Sequence, residues 1–428
     1  TAQSCHFFPV QRPLPAALFP RTTLPRTSSA RIRADSAMPG MMITHALKNS
    51  MPLPSEIIMP QEGSGGWTPR PRNDRAASSR IAWATSTVAT TISALATFGM
   101  ISVGIAEVVA ATLADAEVAA EDIDCIHVGN AFGQLFTGQG QLGAMPATVE
   151  PALWGKPAAR HEAACASGSV ALLAAMAELE AGRYDCALVI GAEIERNVDG
   201  RRAAEHMAAA AWVGHEAEDA QFVWPAQFSA LAQHYDERFG IDPAHLYAFA
   251  EQAYANARDN PLAQTRAWQF PPGAFTADDA LNPIVEGRTR RQETAQITDG
   301  GAGLVLVNER WLARRKRQGR ARISGWGHRT AGLPLAAKLE RSDDHVFPHV
   351  RETFADALHR AGLASVTDLD AVEVHDCFAI TGYMAIEHVG ITGQGRAHEA
   401  IVSGAIARDG ATPVNPGGGL IGAGHPVG

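Results

Sequence analysis

From about residue 100 onward, short apolar runs alternate with stretches of helical period, and few folds tolerate that pattern. Residues 101–114 place Ile105, Val108, Val109 and Leu113 at helical spacing. Residues 123–128 follow as a β-rich run after the turn Ala120-Glu121-Asp122. Residues 167–181 read as a second helix, closed by Gly182 just past its end. Residues 187–190 read as a second apolar strand. Both strands are apolar at consecutive positions, so both of their faces must be buried, as in a sheet covered by helices on each side. The alternation predicts a layered α/β domain. Strand character returns at 303–307. The pattern then repeats as strand 322–324, helix 350–361 and strand 371–374, as if one α/β plan were used twice.

The first 80 residues are a different polymer. They hold 11 of the chain's 25 prolines, and runs such as Pro13-Leu14-Pro15 and Arg70-Pro71-Arg72 break any helix or strand period. Nine arginines and Lys48 against Asp35, Glu56, Glu62 and Asp74 give +6 there, so the other 348 residues carry −15 of the net −9. Residues 1–80 are left unassigned, as a disordered or non-native extension. Arg- and Ser-rich, acid-poor composition is also that of organelle transit peptides. The expected place is therefore the bacterial cytoplasm, or an organelle if the front is a transit peptide. The acidic balance excludes a nucleic-acid binder acting through a global basic field. Residues 81–106 carry no charge and are long enough to span a bilayer. Their Thr, Ser, Ala and Gly content is too weakly hydrophobic for insertion, so a buried strand and turn is expected and no membrane span. Cys5, Cys125, Cys165, Cys186 and Cys377 are odd in number, scattered and without a CxxC pair. They fit a reducing compartment rather than a disulfide framework.

Residues 81–310 read as a first half, with 201–291 inserted as a His-, Trp-, Gln- and Pro-rich loop domain of short amphipathic helices. Residues 311–428 read as a second half. The basic run 310–322 reads as a solvated helix and linker, with phosphate binding as a secondary reading.

Three places set reactive side chains in unusual surroundings. In His161-Glu162-Ala163-Ala164-Cys165-Ala166-Ser167-Gly168-Ser169 a cysteine stands just before a helix, between small residues. A helix N-terminus favours thiolate and offers N–H groups to an oxyanion. A buried cysteine at a tight turn is the plainer reading. Val374-His375-Asp376-Cys377-Phe378 ends an apolar strand, where α/β proteins place ligands, although a surface turn also fits. Zinc is not expected there, because no second Cys/His pair lies at ligand spacing. Asn415-Pro416-Gly417-Gly418-Gly419-Leu420-Ile421-Gly422-Ala423-Gly424-His425-Pro426 puts five glycines in eight positions before one histidine. Glycine admits close backbone approach and positive φ. A P-loop lacks its Lys-Ser/Thr here, and a flexible tail is the plain alternative. Taken together, the motifs form a Cys–His system with two histidines and a second thiol, suited to nucleophilic attack with proton transfer.

At these motifs, and at Ile297-Thr298-Asp299-Gly300-Gly301-Ala302-Gly303, the chain resembles the thiolase superfamily, in particular the sterol-carrier-protein-type thiolases and bacterial acetyl-CoA acetyltransferases. The resemblance runs from about residue 100 to the end. It implies a duplicated five-layer α-β-α-β-α fold with an inserted loop domain, and a homodimer. It also implies acyl-CoA substrates with no permanently bound cofactor, and a role in fatty-acid and lipid metabolism. By motif, Cys165 is the nucleophile that carries the acyl group, and His425 activates it. His375 belongs to the oxyanion hole, where other thiolases carry Asn. Cys377 is the acid/base for the α-proton. Other condensing enzymes of the superfamily, such as ketoacyl-ACP synthase III or hydroxymethylglutaryl-CoA synthase, lack a His-Asp-Cys-Phe motif there. A non-catalytic acyl-CoA-binding subunit, and a small acyl-CoA-binding partner, are the remaining readings. Two departures stand out. The family's first core strand should fall near 85–98, where residues 88–98 fit poorly. The chain also stops at Gly428, before a family helix and the closing strands, which reads as a C-terminally truncated piece whose open sheet edge puts its activity in doubt.

Overall fold

The strands pack as their apolar faces demand. A computed structural model describes the backbone of residues 83–90 and 101–428 and the side chains of 101–428, so the expectations placed on residues 1–80 lie outside the described residues. The described chain runs β1 (Trp83–Thr90), α1 (Ile101–Ala116), β2 (Cys125–Gly129), α2 (Gly133–Thr137), α3 (Met145–Val149), β3 (Ala158–His161), α4 (Ser167–Glu180) and β4 (Cys186–Glu193). There follow α5 (Gly200–Met207), α6 (Val223–Phe239), α7 (Pro243–Ala257), β5 (Ile284–Glu286), β6 (Thr289–Arg290), β7 (Gly300–Val307), α8 (Glu309–Arg315) and β8 (Ala321–Arg322). The chain then continues through α9 (Leu335–Leu339), α10 (Pro348–Ala361), α11 (Ala379–His388), α12 (Ala397–Val402) and α13 (Gly419–Ala423).

Six strands form one mixed sheet in the order β3-β2-β4-β7-β1-β8. β3, β2 and β4 are parallel, while β7 runs antiparallel to both β4 and β1. Alternate residues face opposite layers. Ile126, Val128, Leu188 and Ile190 meet Ile105 and Val108 of α1. Cys125, Ala187 and Val189 meet Ala171, Leu172 and Met176 of α4. The period-2 signal is invisible in such strands because both faces are apolar, as expected. α4 ends where Gly182 takes φ +70°. The first strand lies at Trp83–Thr90, overlapping the front of the expected 85–98, while residues 91–98 lie outside the described residues.

Three local expectations change. The segment after β4 builds α6 and α7, of 17 and 15 residues, rather than short helices. Their Tyr235, Phe249 and Ala253 share one core with Phe354, Tyr383 and Ile421 of α10, α11 and α13, because each supplies the other's apolar cover. Residues 371–374 form no ladder: Val372 makes a single parallel bridge to Val414. Beyond it, the side-chain amide of Asn415 takes the place of a strand neighbour, accepting from Val374 N at 2.7 Å and donating to its carbonyl at 3.2 Å. The basic run is not a free linker. Arg310 and Arg314 both reach Asp185 at 2.6 Å, Arg320 pairs with Asp115 at 3.0 Å, and Arg315 pairs with Asp122. These arginines fasten α8 and the residues before β8 back onto α1, the turn before β2, and the loop before β4. Among the described residues no helix is long and apolar enough to cross a membrane.

Leu188, fully buried between the layers, should cost about 2–5 kcal/mol when replaced by Ala. The exposed Arg320→Ala change should cost less than about 1 kcal/mol. Urea unfolding of the two variants checks the contrast.

Candidate active site

The loop before α4 makes a sharp corner. Ala164 takes φ +48°, a left-handed conformation costly for a residue with a Cβ, immediately before Cys165. Ser167 locks the corner: its hydroxyl accepts from Ala163 N at 3.0 Å and donates to Ala164 O at 2.6 Å. Glu162 adds a bond from Ala164 N at 2.7 Å. Cys165 is thereby held out at the start of α4, exposed on its open side.

The other two motifs come to meet it. Among the described residues, Cys165 Sγ and one ring nitrogen each of His375 and His425 all lie within 4.8 Å of one another. The imidazole rings are edge-to-face, with centroids 5.4 Å apart. Cys377 is buried and close enough that a charge on Cys165 raises its pKa; its sulfur lies 4.0 Å from Thr381 Oγ1. The glycine-rich stretch is no loose tail. Asn256 donates to Asn415 O at 3.0 Å, Asn260 to Gly417 O at 2.9 Å, and Thr265 to Gly422 O. His425 N donates to Gln296 O at 3.0 Å, and Thr298 N to His425 O at 3.3 Å. Gly419 has φ +59°, and a Cβ there would strike the Asp376 carboxylate, so the motif needs glycine at this point.

Comparison with known proteins identifies the family. The family "Thiolase, N-terminal domain" matches residues 84–268, and "Thiolase C-terminal domain-like" matches 336–428. An acetyl-CoA acetyltransferase of Methanocaldococcus jannaschii is 30% identical over 325 residues, covering 72% of this chain and 76% of its own. The chain belongs to the thiolase family. A second acetyl-CoA acetyltransferase, from Methanothermobacter thermautotrophicus, is 29% identical, covering 73% of this chain and 78% of its own. The solved "Ltp2-ChsH2(DUF35) aldolase" shares the fold with a TM-score of 0.63 at 17% identity, over 81% of this chain and 87% of that one.

In this thiolase the resting charges differ from what the helix N-terminus alone suggests. Desolvation by the protein around the Cys165 sulfur, with the Glu195 and Glu193 carboxylates adding to it, pushes the thiol up to about 12. The thiolate is therefore not favoured at rest, and a base must take its proton. Desolvation lowers His375 to about 4, even though its side chain keeps an exposed edge, and desolvation together with His375 lowers His425 to about 3, so both imidazoles favour the neutral form near pH 7. His425 Nε2 is buried and has no hydrogen-bond partner. Cys377 is likewise raised, mainly by desolvation, and stays a thiol.

Reading by motif missed the supporting residues. Asp376 is fully buried and accepts from Leu420 N at 2.6 Å, so it ties the His375 strand end to α13. Burial raises its carboxyl to about 7. Its place between His375 and Cys377 was the only signal. Nothing in the sequence marked Asn256 or Asn260. Spacing also hid two donor sets that could hold a cation: Cys165 with His375 and His425, and Cys125 with His127 and Glu178.

Alkylation of Cys165 by iodoacetamide should keep rising from about pH 7 to about pH 10. Peptide mass spectrometry reads this; a plateau already reached near neutral pH would contradict the raised thiol.

Proposed function

We propose that the chain is an acyl-CoA C-acyltransferase of the thiolase type, which forms or cleaves the C–C bond of 3-ketoacyl-CoA through an acyl thioester on Cys165. One observation carries the reading: a thiol on a strained corner, with two imidazole nitrogens within 4.8 Å. In the cleavage direction the Cys165 sulfur adds to the 3-keto carbonyl while its proton passes to His425. The bond between C2 and C3 breaks, and the Cys377 thiol protonates the acetyl-CoA carbanion. The thiol of coenzyme A then takes the acyl group from Cys165; that thiol's proton restores Cys377, and His425 returns its proton to the departing Cys165 sulfur. His375 donates to the oxygen on which charge develops. A neutral nucleophile beside a base gives up its proton only as it attacks, which suits a reversible transfer. Coenzyme A enters as substrate, and no permanent cofactor is needed.

Residues 81–310 and 311–428 form the two halves in this reading, with 201–291 as the loop domain. A homodimer is proposed on family membership. The solved aldolase whose name joins Ltp2 to a DUF35 protein supports a second subunit as partner. The pairing of Cys377 with Cys165 favours turnover over a purely binding role.

Incubation with acetoacetyl-CoA and longer 3-ketoacyl-CoAs plus free coenzyme A should consume the ketoacyl thioester and leave an acyl adduct on Cys165. No turnover at any chain length, with no adduct by mass spectrometry, would sink the reading. Cys165→Ala should lower turnover by about 10³-fold or more.

Cys377→Ala should still acylate Cys165 yet lose deuterium exchange at the α-carbon of acetyl-CoA. Exchange at the unmutated rate would remove Cys377 from its role.

A further inference from the structure

A second group of donor side chains lies away from Cys165, on the face of β2 that α4 covers. Cys125 and His127 are two residues apart on β2 and so point to the same side. Glu178, in the last turns of α4, reaches down to them. The Cys125 sulfur, one His127 nitrogen and one Glu178 oxygen lie within 4.8 Å of one another. Cys125 and His127 are buried, at 1% and 5% exposure, while the Glu178 side chain keeps 29% and opens the group to solvent.

The polar pairing inside the group is specific. His127 Nε2 is 3.2 Å from Glu178 Oε2, and His127 Nδ1 is 2.9 Å from His161 Nε2 on β3. Without a cation, Nε2–H donates to Glu178 Oε2; when Nδ1 carries the proton and donates to His161 instead, the Nε2 lone pair faces Glu178 and is free to take a cation. Metal-binding imidazoles are commonly oriented in this way, by a hydrogen bond to the other ring nitrogen. The face is otherwise apolar, lined by Ala171, Leu172 and Met176, and Glu178 keeps Oε2 toward His127 while its Oε1 lies 3.5 Å from the exposed Arg183.

We propose that Cys125, His127 and Glu178 form a site for a borderline-soft divalent cation such as zinc, with His161 as the residue that orients His127. Thiolate, imidazole and carboxylate are the donor types zinc takes, and three protein ligands leave a fourth position for water on the open Glu178 side. On binding, the Cys125 S–H proton leaves to solvent and an S–Zn bond replaces it. The thiolate and carboxylate together then balance the dication, so little uncompensated charge remains in a mostly buried place. The cation would tie the end of α4 to β2, at the opposite end of the helix from Cys165. The absence of Cys/His pairs at ligand spacing does not bear on this site, because its donors come from one strand and a helix 51 residues further on.

The test uses the full chain carrying Cys165→Ala, which removes the other thiol donor set. After dialysis against zinc, then metal-free buffer, atomic emission should find one zinc per chain. Adding Cys125→Ser or His127→Gln should abolish retention. His161→Gln should weaken binding by about 10–100-fold. Should the Cys125 and His127 variants fail to fold, cobalt(II) added to the Cys165→Ala chain decides. A sulfur-to-cobalt charge-transfer band supports the site, and its absence overturns it. No retained zinc, or zinc kept equally after Cys125→Ser, also overturns it.

Discussion

His425 reaches the Cys165 sulfur because a glycine-rich stretch is held in place by side-chain amides, and the rest of the site depends on that anchoring. Asn415 binds the backbone of Val374 as a strand would, while Asn256 and Asn260 hold the carbonyls of Asn415 and Gly417. Asp376 caps the same stretch through Leu420 N. Each such bond contributes only about 1 kcal/mol net. Their collective effect is geometric, since a backbone with several glycines has much conformational freedom to lose. The helix α7 that carries Asn256 therefore belongs to the support of the site.

A second consequence is electrostatic. The side chains gathered around Cys165 sit where desolvation outweighs the helix N-terminus: both thiols are pushed up and both imidazoles down. The resting site is therefore neutral at its reactive atoms. Charge would appear only during reaction, in surroundings where preorganised donors act most strongly. Glu193 and Glu195, buried near Cys165, reinforce the thiol's neutrality.

Much of the fold was legible before any coordinates. The strands at Cys125–Gly129, Cys186–Glu193 and Gly300–Val307 announced themselves as apolar runs, and α4 as a helix closed by glycine. The strand expected at 371–374 did not form a ladder, because its neighbour's pairing is taken over by the Asn415 side chain, and local β propensity cannot register such a substitution. The arginines of 310–322 looked solvated because their acidic partners, Asp115, Asp122 and Asp185, lie more than a hundred residues earlier. The length and buried faces of α6 and α7 were hidden for the same reason: their cover comes from α10, α11 and α13.

By itself, the sequence determined the layered α/β class, the family, and the four residues on which the proposed chemistry rests. Those are properties of local pattern: apolar period, a cysteine before a helix, a glycine-rich run before a histidine. Only the tertiary structure decided which groups meet and in what protonation state. Cys165, His375 and His425 are separated by up to 260 residues, and their pKa values follow from the protein packed around them. The same holds for Cys125, His127 and Glu178, whose convergence no spacing rule could express. Proximity and desolvation arise only when the chain has folded.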